Sequence, residues 1–341
     1  MTKSIESHQP KYRAVIAGHG SYAPGGILTN DDLAKMVETS DEWITTRTGI
    51  KRRHKCNEKE STAHLATEAA KKALAVAGLS PEKLEMILVA TITPEMVFPS
   101  TACFVQQNLG AKNAWAFDLM AACSGFIYGN SIAQQFLESG RMRNALVVGA
   151  ETLTKITNYK DRTSCILFGD GAGAFVLEAK PRKKDEKQSE IIYSTMYSDG
   201  SSWEALNCQA YGSRHPSTAA LKNPNMVYME IHGREVYQQA VRRIVETVTE
   251  CLDKCKLKID DVNMIISHQM NARIIESAAK RLELSPEKYF INIQEYGNTS
   301  SASVPLAFDQ AVREGRIKRG DIVILVAFGA GLTWGANVIR F

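Results

Sequence analysis

Two segments far apart in the chain resemble each other, and this internal repeat constrains the fold more than any other feature. Residues 79–90 and residues 257–268 each combine a polar turn with Met-Ile and an apolar strand-like run. A second match places Gly140 opposite Gly315, 175 positions later. Repeated segments indicate repeated structural units. A chain of 341 residues can form two such units packed face to face, with equivalent strand ends at a shared site.

The predicted fold class is α/β, with residues 1–185 and 186–341 as its two halves. The boundary falls in the strongly charged run from Pro181 to Glu190, which is typical of a solvated loop. In both halves, short apolar runs that predict buried strands alternate with longer segments of helical periodicity.

Residues 114–126 contain the strongest candidate for a reactive side chain. Ala114 to Leu119 is a predicted strand, and a helix is expected to begin near Ser124, so Cys123 lies at a strand-to-helix junction. The free N–H groups and the dipole of a helix N-terminus favour an anion. Such a setting favours the thiolate form of a cysteine, which is the nucleophile. The alternative is a buried structural cysteine.

Three further positions could complete a site around this thiol. His268 follows a predicted buried strand, although a hydrogen-bonded structural histidine would also fit there. The shift of 175 positions places Cys123 opposite Asn298, in a Gly-bearing turn where an asparagine could simply cap a helix. The strand from Ile322 ends in glycines. Their N–H groups could face an oxyanion, or the glycines could only form a hairpin turn.

Two other motifs have competing interpretations. Trp43 and Arg47 lie one helical turn apart, so they could stack a nucleotide base and bind phosphate, or be a core anchor and a solvated charge. Residues 169–173 belong to a near match of the dinucleotide-binding fingerprint, which should open a helix. Because residues 174–177 look like a strand instead, we expect a tight connection between strands and no nicotinamide site.

Composition excludes several classes of function. The net charge of +4 is too weak to predict nucleic-acid binding. No apolar run approaches a membrane span, and the first ten residues lack the apolar core of a secretory signal. The seven cysteines are odd in number and scattered, which favours reduced thiols in a cytoplasmic protein. Cys251 and Cys255 have no complementary ligand pair, so no metal site is predicted.

Six motifs, in this order, resemble the β-ketoacyl-acyl-carrier-protein synthase III family, and they span nearly the whole chain. They occupy residues 39–50, 121–126, 168–174, 268–271, 297–300 and 328–335. The resemblance implies the thiolase fold, in which two duplicated α/β halves form a five-layered αβαβα body, usually as a homodimer.

The resemblance also implies roles for individual residues. Cys123 would accept the acyl group, His268 and Asn298 would be the decarboxylation pair, and the backbone N–H groups of Cys123 and Ala330 would form the oxyanion hole. The positions that match substrate or coenzyme A contacts are Trp43, Arg47, Arg162, Phe98 and Asn271. The positions that match the basic carrier-protein patch are Arg273, Lys280 and Arg281.

Phe98 matches a residue that closes the acyl pocket of the neighbouring subunit, and Met96 lies close to it in the sequence. The chain departs from the family pattern at two positions. Ala330 replaces a glycine, which should be tolerated if its φ is negative because only its N–H group is used. Gln238 replaces a lysine of the carrier-protein patch, which could weaken docking or shift its orientation.

The predicted function is a decarboxylative Claisen condensation of an acyl-coenzyme A primer, with acetyl-coenzyme A favoured, and malonyl-acyl-carrier protein. The product is a 3-oxoacyl-acyl-carrier protein that initiates fatty acid synthesis, by a ping-pong mechanism through acyl-Cys123. No cofactor is expected, since the coenzyme A thioester is a substrate. The expected partners are acyl-coenzyme A, malonyl-acyl-carrier protein and a second copy of the chain.

Three alternatives remain at this stage. A related condensing enzyme could use a branched or longer primer, or act in secondary metabolism. A thiolase-fold binding protein could retain a vestigial site, although Cys123, His268 and Asn298 are all present. A cysteine protease or amidase also uses Cys, His and Asn, but the chain lacks a C-G-x-C-W-type signature.

Overall fold

The computed structural model of the protein describes residues 10–183 and 189–341. The predicted boundary between the halves, at 185/186, lies outside these residues. The described strands are β1 (Tyr12–Tyr22), β2 (Gly26–Thr29), β3 (Arg52–Lys55), β4 (Met86–Ala90), β5 (Trp115–Leu119), β6 (Asn144–Thr152), β7 (Asp170–Pro181), β8 (Glu190–Ser198), β9 (Leu206–Asn207), β10 (Glu230–Ile231), β11 (Met264–Ser267), β12 (Ile322–Gly329) and β13 (Thr333–Arg340). The described α-helices are α1 (Asn30–Ala34), α2 (Asp41–Thr48), α3 (Thr62–Ala77), α4 (Thr101–Leu109), α5 (Gly125–Glu138), α6 (Ser217–Lys222), α7 (Gly233–Cys255), α8 (Ala272–Arg281), α9 (Ile293–Tyr296) and α10 (Ser303–Arg313).

Two large sheets share one strand order. The first sheet has the order β1-β7-β6-β4-β5, and the second has the order β8-β13-β12-β11. In each sheet the first three strands pair antiparallel and the next pairing, β6 with β4 or β12 with β11, is parallel. Where the first sheet adds β5, the second has an isolated parallel bridge between Ile265 and Tyr289. The predicted duplication is therefore visible in the topology.

Helices cover both sheets and separate them. Helices α3 and α4 pack on the outer face of the first sheet, and α7 and α8 pack on the outer face of the second. Helices α5 and α10 lie between the sheets, where they bury one apolar cluster with residues of both. The order of layers is αβαβα, as the family resemblance implied. Strands β4, β6 and β12 are buried along their whole length, which explains their apolar character.

Most equivalent elements of the two halves are 178 positions apart, whereas the sequence match at Gly140 and Gly315 gave 175. The spacing of 178 relates the starts of β1 and β8, the ends of α3 and α7, and the 3-10 turns at 122–124 and 300–302. Helix α5 has 14 residues and α10 has 11, so the glycines that follow them are offset by three. The structural counterpart of Cys123 is therefore Ser301, and the predicted equivalence with Asn298 is wrong.

The glycine-rich segment 169–173 also differs from its prediction. Strand β7 begins at Asp170, so most of this segment is strand and not a tight connection between strands. A Cβ atom at Gly173 would lie 2.7 Å from the backbone nitrogen of Leu306 in α10. Glycine is needed there because it allows the helix to pack directly on the sheet. Residues 174–177 do lie in a strand, as predicted, so the helix that a nicotinamide site requires is not formed there.

Candidate active site

Cys123 lies at the start of the central helix α5, where the sequence predicted it. Residues 122–124 form a 3-10 turn directly before the helix, and Ala122 adopts a left-handed conformation with φ 45°. This conformation is unfavourable for a residue with a Cβ atom. The Cys123 side chain is 5% exposed. The strained turn thus places the thiol at a helix N-terminus, within the protein interior.

The turn after β12 lies directly over Cys123. A Cβ atom at Gly329 would lie 2.8 Å from the backbone nitrogen of Cys123, so only glycine fits this close approach. Thr333 Oγ1 lies 3.0 Å from the carbonyl oxygens of both Ala121 and Ala330, so its single proton is shared between the two turns. Ala330 is not among the residues with positive φ, so its Cβ atom is accommodated without left-handed strain. The two predicted oxyanion-hole positions are therefore neighbours.

Burial favours the protonated form of the Cys123 thiol. Burial raises the pKa of Cys123 to about 12, while the nearby Ser300 hydroxyl lowers this pKa and the charge of Glu151 raises it further. The sequence predicted the opposite direction, because it located the helix N-terminus but not the depth of burial. Desolvation of a thiolate outweighs the favourable helix terminus here. Acyl transfer therefore requires removal of the thiol proton.

His268 follows β11 at the edge of the same site. Its backbone N–H donates to the carbonyl of Val326 in β12, which brings it to the strand end that carries Gly329. The ring is 1% exposed, and burial lowers the pKa of His268 to about 3, so the imidazole is neutral at pH 7. Its Nδ1 atom lies 2.5 Å from Ser303 Oγ, whereas the buried Nε2 atom has no hydrogen-bond partner in the described chain.

Asn298 is held by the first half of the chain, although it belongs to the second. Its backbone N–H donates to the carbonyl of Leu167 at 2.8 Å, and its carbonyl accepts from the N–H of Gly169 at 3.0 Å. The Oδ1 atom accepts a hydrogen bond of 2.9 Å from the N–H of Ser300. This bond fixes the orientation of the amide, because a backbone N–H can only donate. The Nδ2 group is consequently the end of the side chain that remains as a donor.

Glu151 is a site neighbour that the sequence reasoning missed. It is the last residue but one of β6, is fully buried, and accepts hydrogen bonds from Thr93 Oγ1 at 2.7 Å and Ser301 Oγ at 2.9 Å. Burial raises the pKa of Glu151, and these donors oppose that effect. A glutamate within the apolar run of a buried strand was the available signal, since an unpaired charge is seldom buried.

The predicted coenzyme A contacts meet at one surface position. The guanidinium carbons of Arg47 and Arg162 lie 4.5 and 4.8 Å from the centroid of the Trp43 ring, which is half-buried. Asn271 caps helix α8 and donates from Nδ2 to the carbonyl of Arg47 at 3.1 Å. Two fixed cations beside an aromatic ring suit a base and a phosphate group.

The remaining predicted residues are exposed. Phe98 and Met96, in the segment after β4, are 82% and 46% exposed. The three basic residues of the predicted carrier patch, which lie on α8, are exposed: Arg273, Lys280 and Arg281. Gln238 is exposed on α7, where the adjacent Tyr237 hydroxyl lies 2.9 Å from Ser277 Oγ of α8. The substituted position therefore lies near the basic helix.

Two absences apply to residues 10–183 and 189–341. No helix in these ranges has both the length and the apolar character needed to cross a membrane. Within the same ranges, no three His, Cys, Asp or Glu side chains are grouped so that they could hold a metal ion.

The duplicated five-layered architecture, with a buried cysteine at the start of a central helix, defines a thiolase-fold enzyme of the condensing class. A family model described as 3-oxoacyl-[acyl-carrier-protein] synthase III matches residues 117–200, and the model of its C-terminal part matches residues 252–341. A β-ketoacyl-[acyl-carrier-protein] synthase III from Caldanaerobacter subterraneus subsp. tengcongensis is 54% identical over 97% of this chain and 98% of the relative. The chain belongs to the β-ketoacyl-acyl-carrier-protein synthase III family.

Solved structures agree with this membership. The 3-oxoacyl-[acyl-carrier-protein] synthase III of Aquifex aeolicus VF5 has a TM-score of 0.88 and 48% identity, over 96% of this chain and 100% of that one. The priming β-ketosynthase of the R1128 polyketide pathway has the same TM-score and 32% identity, over 98% of each chain. The predicted thiolase fold and enzyme class are confirmed. The alternative of a cysteine protease or amidase is contradicted.

Proposed function

We propose that this protein condenses an acyl-coenzyme A primer, preferentially acetyl-coenzyme A, with malonyl-acyl-carrier protein, and so initiates fatty acid synthesis. The observation that carries this proposal is the grouping of Cys123, His268 and Asn298 at neighbouring strand and helix ends in a chain that belongs to the synthase III family. The relatives' names supply the reaction, and the side chains present at these positions fit its chemistry.

In the first half-reaction, Cys123 exchanges its thiol for a thioester. The sulfur attacks the acyl carbonyl, the carbon–sulfur bond to coenzyme A breaks, and the proton of the thiol leaves with the released coenzyme A. The N–H groups of Cys123 and Ala330 bind the tetrahedral oxyanion. This binding is expected to be the largest single contribution to transition-state stabilisation in a preorganised site of this kind. Because the resting thiol has a pKa of about 12, its deprotonation is coupled to attack.

In the second half-reaction, a malonyl thioester loses carbon dioxide and forms an enolate. Asn298 supports this step because its Oδ1 is already occupied by Ser300 N–H, which leaves the Nδ2 group to donate to the enolate oxygen. The neutral ring of His268 is the second donor. The enolate carbon then attacks acyl-Cys123, the carbon–sulfur bond to Cys123 breaks, and the 3-oxoacyl-carrier protein leaves while the Cys123 thiolate takes up a proton from solvent.

Binding of both substrates is assigned to the surface around α2 and α8. The Trp43 ring stacks on the adenine base of coenzyme A. The neighbouring Arg47 and Arg162 supply positive charge for its phosphate groups. The exposed Arg273, Lys280 and Arg281 attract the acidic carrier protein. Gln238 removes one cation from this surface, so carrier binding should depend less on salt concentration than with a lysine there.

The active form is proposed to be a homodimer. Strand β5 is at the edge of the first sheet, and apolar side chains beside it are exposed, including Trp115 at 44% and Met120 at 73%. Phe98 is also exposed, at 82%. An exposed apolar area at a sheet edge is a usual site of association. Phe98 would then close the acyl pocket of the partner subunit.

The test is a panel of acyl-coenzyme A thioesters, with acyl transfer read as a mass increase on Cys123. We expect acetyl to load fastest on the wild type and not at all on Cys123→Ala. Decarboxylation of malonyl-acyl-carrier protein, followed as carbon dioxide release, should require His268 and Asn298. A chain that loads no acyl group and releases no carbon dioxide would be a binding protein with a vestigial site. Faster loading of branched or longer acyl groups would overturn only the choice of primer.

A further inference from the structure

The buried imidazole of His268 has one occupied and one unoccupied nitrogen. Its Nδ1 atom lies 2.5 Å from Ser303 Oγ, at the first residue of helix α10. Its Nε2 atom is buried and without a hydrogen-bond partner in the described chain. A neutral imidazole carries its proton on one nitrogen only, and the hydrogen bond made by the other nitrogen decides which one.

The contacts of Ser303 decide how its hydroxyl is used. The backbone N–H of Gln269 donates to Ser303 Oγ at 3.3 Å, so the oxygen already acts as an acceptor there. The hydroxyl has a single proton, and the acceptor beside it is His268 Nδ1. If Nδ1 were protonated instead, two donors would face the oxygen and the hydroxyl proton would be left unpaired in a side chain that is only 2% exposed. The geometry favours O–H donation from Ser303 to Nδ1.

The first half of the molecule supports this assignment. The positions 178 residues before His268 and Ser303 are Ala90 and Gly125, at the same strand end and helix start. A Cβ atom at Gly125 would lie 2.9 Å from the Cβ of Ala90, so this pair is also in contact. The contact therefore belongs to the duplicated framework. The hydroxyl is present only in the half where the strand end carries a histidine.

We propose that Ser303 is a positioning residue that holds neutral His268 in the tautomer with its proton on Nε2. That N–H group then donates to the enolate oxygen formed when the malonyl thioester loses carbon dioxide. The proposal rests on the proposed function for its consequence, but the tautomer itself can be measured without any substrate. Ser303 does not contact the acyl group on Cys123 in this scheme, so the two half-reactions should respond differently to its substitution.

The direct test is ¹⁵N NMR of protein labelled in histidine, with the His268 signals assigned by their loss in His268→Gln. The wild type should show a protonated Nε2 and an unprotonated Nδ1 at pH 7. Ser303→Ala should give a mixture of both tautomers, and Ser303→Thr, which keeps the hydroxyl, should restore the wild-type pattern. A wild-type spectrum with the proton on Nδ1 overturns the proposal, whatever the variants do.

The kinetic test separates the half-reactions. Ser303→Ala should slow carbon dioxide release about 10- to 100-fold, by analogy with the loss of groups that orient metal-binding histidines. Acetyl loading of Cys123 should change less than about threefold, and Ser303→Thr should recover decarboxylation. The matched control is Ser131→Ala, since Ser131 is equally buried and bonds to Ile127 and Asn337, away from His268. Equal losses in both half-reactions would indicate a structural role and contradict the proposal. A wild type inactive in both would refute the proposed function but leave the tautomer measurable.

Discussion

The two turns that begin the central helices, at residues 122–125 and 300–303, share a backbone but not a chemistry. Ala122 has φ 45° and Ser300 has φ 46°, and each begins a 3-10 turn that leads directly into a helix. The second residue of each turn is Cys123 or Ser301. Ser301 Oγ lies 2.8 Å from the carbonyl of Ala90 and 2.9 Å from Glu151 Oε1, so its hydroxyl is fully engaged. The same backbone frame therefore carries a free thiol in one half and a hydrogen-bonded cross-link in the other.

The neighbours of the two turns differ in a matching way. Glu151 and Gly329 occupy equivalent ends of β6 and β12, 178 positions apart. The glutamate binds the Ser301 hydroxyl, whereas the glycine leaves room for the backbone nitrogen of Cys123. The two turns are similar in backbone, but their surroundings differ. Substitutions at equivalent positions should therefore have unequal effects.

The largest difference is expected between Cys123→Ala and Ser301→Ala. Cys123→Ala should lower acyl transfer by at least about 10³-fold, the scale of losing a nucleophile. Ser301→Ala should keep loading within about tenfold and cost about 1–3 kcal/mol of unfolding free energy, since Glu151 loses a buried donor. Mass spectrometry and urea unfolding measure the two quantities. Loss of loading in Ser301→Ala as complete as in Cys123→Ala would break the comparison.

Gly329→Ala should have the next largest effect. Its new Cβ atom would lie 2.8 Å from both the nitrogen and the Cβ of Cys123, so the turn that carries Ala330 must move. A displacement of about 1 Å at reacting groups lowers rates about 100-fold, which single-turnover acetyl transfer would detect. Gly200→Ala is the control, because no atom lies within 4 Å of a Cβ built there. Equal rates in both variants would refute the close approach.

The free energy of unfolding should depend on pH through His268, whose counterpart in the first half is the non-titrating Ala90. The folded-state pKa of His268 is lowered from 6.5 to about 3, so between these values the unfolded chain binds the extra proton. Above pH 6.5 the buried neutral ring of His268 does not lower the free energy of unfolding. Below that pH, the free energy of unfolding falls by about 1.4 kcal/mol for each pH unit, down to about pH 3. Urea unfolding at pH 4.5 and 6.5 should show a smaller difference in His268→Gln. An unchanged difference would mean that the ring is already protonated or exposed.

Glu151→Gln should have the smallest effect of these substitutions. Unlike the others, it should increase a rate, the rate at which Cys123 is alkylated. The amide can donate to Ser301 Oγ, which still has the carbonyl of Ala90 as an acceptor, so the fold should be retained. Removing the negative charge lowers the pKa of Cys123, because the charge of Glu151 raises it. Iodoacetamide should then alkylate Cys123 about three- to tenfold faster at pH 8, since the thiolate is the reactive form. Asp309→Asn, in a separate buried cluster, should not change that rate. A slower reaction in Glu151→Gln would show that this charge does not oppose the thiolate.

Local patterns in the sequence predicted much of the fold. The strand predicted at 114–119 and the helix predicted to begin near Ser124 follow from the local pattern of apolar and small residues, and the structure has both, as β5 and α5. The repeat predicted two halves, but its register was wrong by three residues because α10 is shorter than α5. A helix length depends on where its packing partners end, so a match across one helix cannot define the register of another.

By itself, the sequence determined the duplicated architecture, the family and the identity of the chemical groups, because these depend on residue type and order along the chain. Only the tertiary structure decided how those groups behave. The pKa of Cys123 depends on its burial and on Glu151. The hydrogen bond at His268 Nδ1, and with it the proposed tautomer, depends on Ser303, which is 35 positions away. Desolvation and hydrogen bonding act through space, and the separation of residues in the chain does not specify them.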